Sequence, residues 1–283
     1  KVLDDADEVG FAGRAAAGRL PAGTGLAHAG AMRSWFRRLR SAPEPVDDAA
    51  WRATVAAMRL LDARAPTELA ALRQRVEWFL GRFRFSGAHG LEVTPRMRRL
   101  VAAQACLPLL HLPDDHLGHW PELILYPGQF RVRRSHHDSD TEVVSEWDDE
   151  LAGEAWSQGP VILSWADIEQ DLAEPFEGFN VVIHEIAHKI DMADGYSDGV
   201  PPLPAAQRGE WLRVMQGAFD ALAAAVEAGR ETVLDPYAAE AADEFHAVVS
   251  EYYFTAPDVL AEHHPEVHAA FARYYGAVPP PAA

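Results

Sequence analysis

The sequence predicts an α+β domain. Three observations carry that prediction: helical periodicity from about residue 47 to 107, short β-rich runs punctuated by Pro and Gly from about 120, and renewed helical periodicity from about 180. Apolar residues make up 48% of the 283 and charged residues 24%, ordinary globular values that exclude a disordered or fibrous chain overall. That length admits one large domain or two small ones, each able to bury a full core. No apolar run reaches the ~18 residues that a membrane span needs. Acidic residues number 43 against 25 Lys and Arg, a formal net charge of −18. Nucleic acid is therefore not an expected partner, because phosphate binding needs a cationic face. The lone cysteine, Cys106, rules out a disulfide framework and fits a reducing cytoplasm. It stands in the apolar stretch 100–110, where a core thiol is expected rather than a nucleophile.

Residues 1–31 are Ala- and Gly-rich, lack periodicity, and begin with the acidic run KVLDDADEV where a secretory leader would be basic. They are expected to form a disordered extension, with one domain spanning 32–283. Met32 opens the basic stretch MRSWFRRLR, read as surface helix and not as a membrane anchor. Residues 32–118 are expected to be mainly helical. Asp47 or Asp48 caps a helix carrying Trp51, Val55, Met58, Leu60 and Leu61, ended by Pro66. Thr67 caps a second, through Leu69, Leu72, Val76, Phe79 and Leu80. Thr94 and Pro95 read as cap and first residue of a third, which runs to about Leu107.

Residues 119–283 are expected to hold the strands and then the helices that carry chemistry. Segments 123–126 and 130–133 flank Pro127-Gly128 and read as a hairpin. The acidic stretch 138–154 reads as a solvated loop with a strand inside it. Gly159-Pro160 introduces a strand at 161–165, a candidate edge on which an extended peptide can pair through its main chain, or else an ordinary core strand.

The segment from Asn180 to Asp191 contains His184-Glu185-Ile-Ala-His188. On a helix, positions four apart lie about 40° from one another around the axis, so both histidines share one side. Val182, Ile183, Ile186, Ala187 and Ile190 take the opposite side. Asn180 reads as the N-cap and Gly195 as the stop. Two imidazoles one turn apart both reach a tetrahedral Zn²⁺ at about 2.0–2.1 Å. Glu185 then faces the open coordination position, as the general base for a metal-bound water.

A catalytic zinc of this kind needs a third protein ligand. The extended pattern His-Glu-x-x-His-x-x-Gly-x-x-His is broken, because Asp191 and Asp194 stand where glycine and histidine belong. Asp194 is therefore a weak candidate. Asp191 is expected to orient a ligand histidine, solvation of the helix end being the alternative. A downstream helix over 241–254 offers Glu244 and Glu251, seven residues apart on one side. One can be ligand and the other partner to an imidazole N–H, and spacing leaves the assignment open.

His184-Glu185-Ile-Ala-His188-Lys-Ile-Asp191-Met followed by Glu244-Phe-His-Ala-Val-Val-Ser-Glu251-Tyr-Tyr-Phe resembles the Mlc titration factor A family of zinc metallopeptidases. The similarity runs from about Met32 to Tyr275 and includes Val161-Ile-Leu-Ser-Trp165. It implies a zincin-like fold: a small mixed sheet, an active-site helix and a surrounding helical bundle. It implies Glu244 as third ligand, one zinc per chain, and hydrolysis of a peptide or protein, with aminopeptidase action. It also implies a cytoplasmic protein able to bind an Mlc-like transcriptional repressor of glucose uptake. The family is similar to the catalytic domain of anthrax lethal factor, in which a tyrosine seven residues before that glutamate stabilises the transition state. Tyr237 holds that place, and a phenol there can donate to a forming oxyanion. On its own it reads as a half-buried aromatic.

The other histidines carry no expected role. His136 and His137 begin the acidic loop. Pro265 interrupts the group His263, His264 and His268. His246 points away from Glu244 on its helix, and His111, His116 and His119 lie in a connection without ligand spacing. The expected function is zinc-dependent peptide hydrolysis. The rival is a repressor-sequestering module with a residual zinc site, and a purely structural zinc is disfavoured by the glutamate at the open position.

Overall fold

The computed structural model describes residues 42–117, 120, 122–137, 144–151, 153–155 and 159–280. The expectations for 1–31, for the opening at Met32 and for His119 lie outside the described residues. So do those for the side chains of His136 and His137, whose backbone runs in a strand. No described helix is long and apolar enough to cross a membrane.

Helix α1 (Asp48–Ala56) starts where expected, with Asp47 accepting from the Ala50 amide at 2.8 Å. It ends earlier than its apolar spacing implies. Met58 is extended and a 3₁₀ turn follows at Arg59–Leu61, which lets Met58 and Leu61 both reach the core at 1% exposure. Helix α2 (Pro66–Arg82) begins before the expected Thr67 cap. Pro66 occupies its first turn, where a missing N–H costs nothing, and Glu68 accepts from the Ala65 amide. Strand β1 (Arg84–Gly87) was not expected, because four residues without alternation leave no periodic signal. Helix α3 (Pro95–Ala105) is capped by Thr94 as expected.

The hairpin expected around Pro127-Gly128 does not form. Strand β2 (Glu122–Tyr126) lies between β1 and β6 (Val161–Ser164), parallel to both. Both its hydrogen-bonding edges are taken, so β3 (Phe130–His137) has no place beside it and pairs antiparallel with β4 (Val144–Leu151) instead. The acidic stretch thus contributes β4 and also β5 (Gly153–Ala155), which joins β6 antiparallel. The main sheet has the order β1-β2-β6-β5, three parallel strands and one antiparallel, the small mixed sheet expected. β6 is consequently an interior strand, the core alternative of the two readings offered for it; β1 and β5 are the edges of this sheet.

Trp165 opens helix α4 (Trp165–Ala173), capped by Ser164. Then come α5 (Val181–Asp191), α6 (Ala205–Glu227), α7 (Ala242–Thr255), α8 (Pro257–His263) and α9 (Pro265–Tyr275). Helix α5 packs chiefly on α7 and also meets α3, α4, β5 and β6, so it is enclosed by both helical layers and the sheet. The core on the N-terminal side is aromatic, with Phe83 stacked on Trp120 at 4.2 Å between centroids and Phe79 at 4.4 Å from Phe83. On the far side Tyr253, Phe271 and Tyr275 fill the space between α7 and α9. Cys106 is buried as expected, a free thiol whose pKa is pushed up by burial.

Candidate metal centre

Asn180 starts α5 as expected, its side-chain oxygen accepting from the Ile183 amide at 2.9 Å. Its side-chain amide donates to Gln104 of α3 at 2.7 Å, and its backbone amide donates to Glu251 of α7 at 2.5 Å. Asp171 of α4 accepts from the Val181 amide at 2.8 Å. Helices α4 and α7 therefore satisfy backbone amides at the head of the motif helix and α3 holds its cap side chain, which fixes its rotation and depth. At the other end a 3₁₀ turn and Gly195, in the left-handed region at φ 101°, stop it as expected.

The apolar face is as expected: Ile183, Ile186, Ala187 and Ile190 are fully buried. The polar face is buried as well, which periodicity did not foretell. Glu185 is 4% exposed and Lys189 1%. The Lys189 ammonium donates to the Gly159 carbonyl and lies over the Trp120 ring, tying α5 to the approach of β6. Burial pulls its pKa down to about 8.

His184, His188 and Glu244 converge. Nε2 of His184 is 3.2 Å from Nε2 of His188, and the Glu244 carboxylate is 3.2 Å from the first and 3.3 Å from the second. A tetrahedral zinc with ligands at about 2.0–2.1 Å separates them by about 3.3 Å, so these atoms form one face of such a tetrahedron. The tautomer agrees. His184 Nδ1–H donates to Glu251 at 2.8 Å, which leaves the Nε2 lone pair facing its two neighbours. Burial disfavours an imidazolium at His184, yet Glu251 and Glu244 outweigh it and hold its pKa well up. Burial likewise works against the Glu244 carboxylate, and the two histidines override it and hold its pKa far below the usual range. Glu244 is thus held as the anion, and two imidazole nitrogens with one carboxylate oxygen are a donor set that fits zinc.

Glu185 Oε2 is buried without a protein hydrogen-bond partner. Burial, partly offset by the two histidines, pushes this carboxyl up to about 7. A carboxyl in that range is suited to exchanging protons at neutral pH. Tyr237, in the 3₁₀ turn Pro236–Ala239, sets its ring 6.2 Å from that of His184. Burial and the Glu244 carboxylate push its phenol up, so it stays protonated. At 39% exposure it lies at the opening of the site rather than half-buried in the core.

Of the two downstream carboxylates, Glu244 meets the histidine nitrogens and Glu251 holds the imidazole N–H, which resolves what spacing left open. Asp194 turns outward to the Tyr196 amide. Asp191 is fully buried and accepts from the Gly199 amide at 3.0 Å; its other oxygen and His188 Nδ1 both lack a partner, so it holds a loop and makes no hydrogen bond to a ligand histidine. That loop needs its glycine. Gly199 sits at φ 72°, and a Cβ would come within 2.3 Å of the Ala242 carbonyl oxygen at the head of α7. His246 faces away from the three residues, packed against Trp211 and Phe271.

Sequence reading missed Gln104, Asp171 and the anchoring of Lys189. Gln104 carried the clearest signal, an amide within an apolar run at zero exposure. Asp171 had none, since an acid on an amphipathic helix is ordinarily solvated.

The His-His-Glu cluster beside a small mixed sheet is the arrangement of a zincin. Comparison with known proteins agrees with the geometry. The model of the family described as glucose-regulated metallo-peptidase M90 matches residues 32–276. An Mlc titration factor A from Klebsiella pneumoniae (strain 342) is 34% identical over 232 residues, covering 77% of this chain and 83% of that protein. One from Escherichia fergusonii is 31% identical over 263 residues, 88% of this chain and 93% of the relative. An uncharacterised protein of Synechocystis is 33% identical over 213 residues, 75% of this chain and 77% of its own length.

Proposed function

The chain belongs to this M90 family of metallo-peptidases, and from that premise we propose a zinc peptidase in which His184 Nε2, His188 Nε2 and a Glu244 oxygen hold the ion. When bound, zinc supplies a Lewis acid and lowers the pKa of water. Glu185 takes a proton from the attacking water on Oε2 and delivers it to the nitrogen of the leaving amine. The Tyr237 hydroxyl donates to the carbonyl oxygen as negative charge develops there. Glu251 keeps the His184 proton on Nδ1, and Asn180 and Gln104 hold Glu251 in place. An extended peptide pairs with the β5 edge, which runs beside α5. The observation that carries the reading is the triangle of ligand atoms with the unpartnered Glu185 oxygen, because that pairing describes an open, catalytic site.

Aminopeptidase action is the finer reading, supported by the family resemblance. A reducing cytoplasm is the compartment this reading assigns, on the strength of the buried free thiol. A second reading rests on the names of the relatives. A protein called Mlc titration factor A implies a repressor as partner, and this chain is then a repressor-binding module whose zinc site is residual.

The test is a panel of aminoacyl anilides and internally quenched peptides with the zinc-loaded chain and its Glu185→Gln variant. Loss of the base lowers kcat by about 10²–10⁴-fold while metal analysis still finds zinc. A Gln variant that cleaves like the parent overturns the assignment. A chain that cleaves nothing yet captures a purified Mlc-like repressor establishes the second reading.

A further inference from the structure

A cavity of about 410 Å³ opens beside the ligand residues, and Glu185 and Tyr237 both line it. That volume lies within the range of about 300–1,000 Å³ usual for small-ligand pockets. Five carboxylates outside the proposed machinery also line it: Asp167, Asp171, Glu174, Glu177 and Asp235. Among the described residues no lysine or arginine does. Among the described residues none of the five is in an ion pair with a cation.

These acids are held from two sides. Asp171 is fixed by the Val181 amide and Asp235 by the Tyr237 amide at 2.8 Å. Glu174 and Glu177 stand exposed at the mouth, where α4 ends. Acidity alone marks no site. Here a second, separate observation does: Glu185, 4% exposed and with Oε2 unpartnered, belongs to the same cavity wall. The cavity is therefore where a reacting molecule is seated. Between the acids lie Phe179, 47% exposed, and the side chains of Val181 and Val248. An apolar wall with an anionic rim matches a side chain that has a hydrocarbon stem and a cationic head. Phe179 adds an aromatic face that attracts such a head. The same carboxylates repel an acidic residue, so they select by exclusion as well.

We propose that this cavity selects a substrate residue with a cationic side chain, arginine or lysine, next to the scissile bond. The inference rests on the peptidase reading and deepens it. An α-ammonium group offers the same charge, so the experiment separates the two sources.

The zinc-loaded chain is assayed on matched peptides differing only in arginine or citrulline, and in lysine or norleucine, each with a free and an acetylated N-terminus. The charged member is cleaved with a kcat/KM about tenfold or more above its neutral partner, with either terminus. In the Glu174→Gln/Glu177→Gln double variant that ratio shrinks several-fold, whereas cleavage of an alanine peptide is unchanged. Calorimetry with arginine amide and citrulline amide on Glu185→Gln reads the preference without turnover. Equal cleavage of arginine and citrulline peptides overturns the proposal. So does a dependence on the free terminus alone, which assigns the carboxylates to the α-ammonium. Glu185-dependent cleavage without charge preference sinks this inference and leaves the peptidase reading standing. If no peptide is cleaved the peptidase reading fails, and equal binding of the two amides then overturns the cationic pocket too.

Discussion

Around Phe79, Phe83 and Trp120 the interior is made of rings in contact, and between α5 and α7 it is made of carboxylates and imidazoles. In the first region burial itself stabilises, since each ring removes a large apolar area from water. In the second, burial works against the groups present. Glu185, His184 and Glu244 all carry a desolvation penalty; opposite charges and hydrogen bonds outweigh it at His184 and Glu244, and at Glu185 they offset it only in part. The motif helix α5 alone carries three buried atoms without a protein partner, Glu185 Oε2, His188 Nδ1 and Asp191 Oδ1. Such atoms are rare in stable interiors and mark places where something else is meant to bind. The aromatic side supplies the stability that lets the other side remain unsatisfied.

The comparison makes three predictions. Phe79→Ala destabilises the fold by about 3–5 kcal/mol, since a fully buried ring is removed from a packed cluster. Denaturant unfolding reads that loss, and the fraction still folded keeps its zinc. Retained stability would show that the aromatic cluster is not what supports the site. Tyr237→Phe does the reverse. It lowers kcat by about 10²-fold, close to the worth of one oxyanion donor. KM and the unfolding midpoint stay put, because the ring is 39% exposed at the opening of the site. A drop in stability with unchanged kcat assigns it to packing. Glu251→Gln has the smallest effect and falls between the two regions. The amide still accepts from Asn180 but cannot favour the His184 Nδ1–H as a carboxylate does, so zinc affinity falls by about 10–100-fold. Competition with a chelator measures it, and an unchanged affinity means that Asn180 alone positions the helix.

The motif helix, its caps and the helix of Glu244 and Glu251 were readable because each is a local pattern. Asn180, Thr94 and Asp47 cap helices through bonds to amides three residues away, and such bonds leave a mark in the sequence. The sheet was less so. Strand β1 is too short to show a period, and the place of β2 between two parallel partners depends on residues 38 positions away on either side. A Pro-Gly pair signals a turn but does not say which strand waits on the other side. The division of labour between Glu244 and Glu251 also escaped spacing, since both lie on one side of α7.

By itself the chain's order determined that two histidines one turn apart share one side of a helix with a glutamate between them, and that two downstream carboxylates share one side of another. Helix geometry is short-ranged, so residues three and four apart are bound to meet. Only tertiary structure decided which carboxylate closes the triangle, that β5 and not β6 is an edge strand, and that Asp191 holds a loop instead of a histidine. It also gathered acids from α4 and from the turn before Tyr237 around one cavity. Those outcomes depend on how elements far apart in sequence are stacked, a matter of summed packing and desolvation that no local pattern records.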